Sequence, residues 1–103
     1  MSRTTYIFPY TDAEITERNI KQIFAQEKYY NVLENGESVW KCGNGNWAAI
    51  KYINYEFVDQ QTLHIIGWVK SDVGGELKLD GILGGLPKKQ VRAVIDRIKA
   101  AIK

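Results

Sequence analysis

The chain has 103 residues, 45% of them hydrophobic and 25% charged, and a net charge of +2. That length holds one domain, 1–103, with a single core, and the composition excludes a disordered chain, which needs few apolar residues and a large net charge. The net charge is too small for a protein that coats a polyanion, but it is uneven: residues 1–37 sum to −2, residues 38–86 to −1 and residues 87–103 to +5.

Thr4 to Phe8 is β-branched and aromatic, is bounded by Pro9, and reads as a first strand. Thr11 to Glu14 matches a capping box, with Tyr10 and Ile15 at the two positions of a hydrophobic staple. A helix is predicted from Asp12 to about Lys28, with Ala13, Thr16, Ile20, Ile23, Phe24 and Glu27 along one stripe. Tyr29–Glu34 and Glu37–Cys42 flank Asn35-Gly36. Asn-Gly between two such runs signals a type I′ hairpin, because both central residues need positive φ. That turn sets Glu34 opposite Glu37, Val32 opposite Val39 and Asn31 opposite Trp40.

Gly43 to Asn46 makes a second turn, and Trp47 to Phe57 is long enough for a strand whose mixed alternation suggests a bulge. Thr62 to Lys70 is a further strand, with Leu63, Ile65 and Val69 on one face and His64, Ile66, Trp68 and Lys70 on the other. Asp72 to Gly75 turns the chain into a short strand, Glu76 to Asp80, with Leu77 and Leu79 inward. Pro87 suits the first turn of a last helix, along which Val91, Val94, Ile95, Ile98 and Ile102 form the clearest apolar stripe in the chain.

The order is β-α-β-β-β-β-(β)-α. Consecutive hairpins imply an antiparallel sheet, and two apolar helix stripes need a sheet face to cover. The expected fold is a two-layer α+β domain with both helices on one face. This order resembles TATA-box-binding-protein-like and helix-grip folds, a likeness that carries no function.

The single cysteine, Cys42, excludes an internal disulfide and favours a reducing compartment. The first residues lack the long apolar run of a signal peptide. No stretch approaches the roughly 20 apolar residues of a membrane span. The expectation is a cytoplasmic domain without a membrane partner.

A catalytic centre needs a nucleophile beside a base, paired carboxylates in a cleft, or a metal cluster. Cys42 and the lone His64 meet this only if their strands adjoin on one face, where imidazole would lower the thiol pKa. Zinc needs more Cys or His ligands than the chain has. The expectation is therefore a non-enzyme without cofactor or metal. Gly81, Gly84 and Gly85 ahead of Lys88 and Lys89 could cradle an anion at a helix start. The P-loop spacing is not met, and a tight bend over the core is the simpler reading.

Two surfaces could bind a partner. Trp40, Trp47 and Trp68 could form a stacking platform on a sheet face that no helix covers. Lys88, Lys89 and Arg92, with Lys99 and Lys103, form a basic stripe of the kind that meets phosphates, though such a face is usually only solvated.

Three segments carry a resemblance: Val39-Trp40-Lys41-Cys42-Gly43-Asn44-Gly45, Gly67-Trp68-Val69, and Asp80 through Lys89, which reads DGILGGLPKK. Together they resemble a family of small uncharacterised bacterial domains found alone or beside zinc-ribbon modules. The likeness covers most of the chain from Tyr29 onward. It implies an isolated bacterial domain without a zinc ribbon, and no catalytic residues carry over.

The functional expectation is a non-enzymatic binding or interaction module for a protein partner or small ligand. One alternative is a small-molecule pocket between the last helix and the sheet, as in helix-grip folds. Another is nucleic-acid binding through the basic helix. An enclosed apolar pocket would favour the former, a continuous basic surface the latter.

Overall fold

The computed structural model describes residues 2–45, 49–71, 75–80 and 85–103. Eight elements follow in order: β1 (Thr4–Pro9), α1 (Ala13–Gln26), β2 (Tyr30–Glu34), β3 (Glu37–Cys42), β4 (Lys51–Phe57), β5 (Thr62–Lys70), β6 (Glu76–Leu77) and α2 (Gly85–Ala101). The strands form one antiparallel sheet ordered β1-β5-β4-β3-β2, with β6 paired to the far end of β5. Both helices pack on one face, giving the two-layer α+β architecture and the element order anticipated above. No helix among the described residues is long and apolar enough to cross a membrane.

Local chemistry explains most of the boundaries. The N-cap of α1 is Asp12, whose carboxylate accepts from the Ile15 amide at 3.0 Å, one residue later than the capping box placed it. The reason lies elsewhere in the chain. The Thr11 and Asp12 amides both donate to the Lys103 carbonyl, at 2.8 and 2.9 Å, so Glu14 has no amide to reach back for. The helix ends at Gln26, short of Lys28. Lys28 takes a left-handed φ of 64°, and the Tyr29 amide closes the end by donating to the Phe24 carbonyl.

Asn35 and Gly36 have φ of 52° and 78°, as a type I′ turn requires, and the hairpin register is the one that turn dictates. β4 starts at Lys51 and runs in unbroken register with β5, so the suspected bulge is absent among its described residues. Its alternation is mixed because both faces bury: Ile53 faces the helices and Tyr52 the other side.

Between helices and sheet lies the main core. Ile20, Ile23 and Phe24 of α1 meet Ile53, Leu63 and Ile65 of the sheet and Val91, Val94, Ile95 and Ile98 of α2. Phe24 stacks on Trp40 with ring centroids 4.6 Å apart. At Gly67 the last helix approaches closely: an added Cβ would lie 2.9 Å from Leu79 Cδ1 and 3.0 Å from both Ile95 Cδ1 and Val91 Cγ1. Three buried side chains cannot all give way, so Gly67→Ala should cost about 1–3 kcal/mol through overpacking. Urea denaturation checks this, and a midpoint equal to wild type would mean the seam is looser than described.

The hairpin β2–β3 does not lie flat. β3 pairs with β4 only from Trp40 to Cys42 and then diverges. The Asn54 side chain fills the fork, donating to the Ser38 carbonyl and accepting from the Tyr55 amide, each at 3.0 Å. Beyond the fork the hairpin curls over the face away from the helices. There Val39 packs against Tyr52 and Trp68 in a second, smaller core.

Candidate binding site on the outer sheet face

β5 alternation and the β4 register put Trp68 and Tyr52 side by side on the outer face, their rings stacked at 5.1 Å and nearly parallel. Trp68 is 2% exposed although no helix covers it. Its roof is Arg3, just ahead of β1. The guanidinium carbon sits 3.6 Å from the Trp68 ring centroid. The same guanidinium makes paired hydrogen bonds to Glu37 at 2.8 and 2.9 Å, and to Glu76 at 2.8 and 2.9 Å. Arg3 thereby ties β1, the hairpin and β6 together across the aromatic floor.

Beside this clamp lies a pocket of about 280 Å³, lined among others by Glu34, Val39, Tyr52, Trp68 and Lys70. Glu34 accepts from Lys41 at 2.6 Å and from the Tyr52 hydroxyl at 2.9 Å. Burial, then the bond to Glu34, pushes the Tyr52 hydroxyl up to about 12, so it stays a donor across the physiological range. The Lys41 ammonium holds Glu34 below the usual carboxylate range, and the Arg3 guanidinium does the same for Glu37 and Glu76.

These shifts give stability a pH dependence of defined sign. Carboxylates with depressed folded-state values contribute fully above their ordinary value of 4.5, and that contribution is lost as pH falls through the depressed values. Stability is expected to drop as pH falls below about 4.5. Melting temperatures through that fall check it, and Arg3→Met should flatten the slope. An identical slope in Arg3→Met would show that the clamp does not set it.

The structure separates the tryptophans. Trp68 is on the outer face, whereas Trp40 faces the helices against Phe24, so the two share no platform. Trp47 lies outside the described residues, as do residues 81–84 of the glycine-rich segment. Cys42 and His64 also sit on opposite sides of the sheet: Cys42 packs toward the helices, its thiol 3.7 Å from the Glu27 carbonyl, while His64 shares the Trp68 face. They cannot form a nucleophile and base. Among the described residues no cluster of three His, Cys, Asp or Glu could hold a metal.

The basic stripe is partly consumed within the fold. Lys88 is only 3% exposed and donates to the Asp80 carbonyl at 2.8 Å. Arg92 donates to the Leu79 carbonyl, and Arg97 bonds Glu27 and Gln26 of the other helix end. Of the three candidate phosphate-binding residues, Lys88 is buried, while Lys89 and Arg92 face solvent, Arg92 with one donor held by the Leu79 carbonyl. At about 0.15 M salt, where the Debye length is about 8 Å, oligonucleotide binding is expected to be weak or absent. Submicromolar, sequence-dependent binding there, abolished by charge reversal at Lys88, Lys89 and Arg92, would overturn this.

The seam between α2 and β5 is filled by Leu79, Val91 and Ile95 over Gly67. Alternation along β5 signalled Trp68 in the sequence, whereas Tyr52, on a strand of mixed alternation, was not singled out. For Arg3, Glu37 and Glu76 there was no signal, because they lie 34 and 73 residues apart in the chain. Compared with protein-family models, curated proteins and solved structures, the chain matches none.

Proposed function

We propose that this protein is a non-enzymatic binding module whose working surface is the outer face of the sheet. One observation carries the reading: an apolar floor of Val39, Tyr52 and Trp68 lies on the side without helices, roofed by paired charges and opening beside a pocket of about 280 Å³. An aromatic floor with a few convergent polar groups is how small sites orient a ligand. Lys70, in the pocket wall, makes no ion pair among the described residues and is available to a ligand. The lone cysteine supports a reducing, cytoplasmic setting.

The test is a two-dimensional NMR titration of the labelled protein with a panel of amino acids, sugars, nucleotides and short peptides. Shifts should concentrate on Arg3, Glu37, Tyr52, Trp68, Lys70 and Glu76. Saturable shifts confined to the helices, or turnover of any panel member, would sink the proposal.

A further inference from the structure

Glu37 and Glu76 come from different elements, the start of β3 and β6, and their carboxylates converge on one ring face. Glu34 lies directly across the hairpin from Glu37 and lines the same pocket. Like charges brought together cost free energy unless a cation lies between them. The nearest free volume is the pocket, and Arg3 reaches the spot from a segment outside any strand, with 28% of its side chain still exposed. The position is therefore one that demands a cation, holds it at a solvent-facing edge, and is filled by the chain's own side chain.

Its chemistry is selective. Two carboxylates set at an angle accept four hydrogen bonds from one planar group, and the Trp68 face supplies stacking. A guanidinium offers five donors in a rigid fork and a flat face; an ammonium offers three donors and no plane. We infer that the Trp68–Glu37–Glu76 site is a guanidinium receptor, occupied in cis by Arg3, that takes an arginine side chain of a partner when Arg3 swings out. This deepens the binding-module reading and rests on it. The exposed edge of Arg3 is what makes exchange possible; the covalent tether is what keeps the site closed to weak competitors.

The experiment removes the internal occupant. Arg3→Ala protein is titrated with the peptides Gly-Arg-Gly and Gly-Lys-Gly at matched ionic strength, following the Trp68 indole and Glu76 amide signals by NMR. Gly-Arg-Gly should saturate the site and bind about tenfold more tightly than Gly-Lys-Gly, from the lost stacking and fork geometry. Adding Glu76→Gln should abolish that preference, and wild-type protein should bind Gly-Arg-Gly at least about tenfold more weakly, because its own side chain competes at high effective concentration. If Arg3→Ala does not fold, Arg3→Lys keeps a cation in place, and Gly-Arg-Gly should then displace it with the same Trp68 shift. Absence of a saturable Trp68 shift in the folded variant, or equal binding of the two peptides, overturns the inference. If that happens while wild type still shows ligand-dependent shifts on this face with the broader panel, the binding-module reading stands and only the guanidinium assignment falls.

Discussion

Trp68→Ala is expected to destabilise the protein by about 3–5 kcal/mol, as removal of a fully buried large aromatic does. On the usual view of a two-layer domain this would be surprising, because Trp68 points away from both helices. The effect follows from the curled hairpin. Trp68 loses its stack with Tyr52 and its contact with the second core, and Arg3 loses the surface it lies on. What remains of the clamp is a set of partly exposed ion pairs, which by themselves contribute little. Guanidinium chloride denaturation measures the loss. A change below about 1 kcal/mol, the range of ordinary surface substitutions, would show that the hairpin does not close over this face. Trp68→Phe should retain part of the stacking and fall between the two proteins.

Ile95→Ala is expected to cost about 2–4 kcal/mol through lost burial and the cavity left behind. Ile95 is 2% exposed and packs over Gly67, where an added Cβ would lie 3.0 Å from its Cδ1. The cavity has little chance to collapse, since the backbone on one side is a strand held by neighbours on both edges, β1 and β4. Urea midpoints at unchanged m-value would register the loss as stability rather than altered compactness. An unchanged midpoint would mean that α2 does not pack on β5. Combining it with Trp68→Ala should be nearly additive, because the two side chains lie in separate cores on opposite sheet faces.

Local rules written into the chain account for the element order and for the hairpin register. Asn35-Gly36 can close only a turn with two positive φ values, and that alone pairs Glu34 with Glu37 and Val32 with Val39. Alternation along Thr62–Lys70 sorted Leu63, Ile65 and Val69 from Trp68, and the 3.6-residue stripe of the last helix picked out Val91, Val94, Ile95 and Ile98 as core. Such signals are short in range, spanning a turn or two, so neighbours in sequence suffice to read them. Helix ends were less legible. The cap moved to Asp12 because the Lys103 carbonyl, far away in sequence, satisfies the Thr11 amide. Trp40 and Trp68 looked equivalent in sequence, but which face of a strand is covered depends on where the helices pack and where the hairpin bends. Lys88 looked like a solvated base, yet its ammonium is buried and meets the Asp80 carbonyl. The clamp of Arg3, Glu37 and Glu76 was invisible for the same reason. Its members share no spacing or period, and only the curvature of the sheet carries the hairpin across to meet β1 and β6, setting two carboxylates and one guanidinium over a single indole ring.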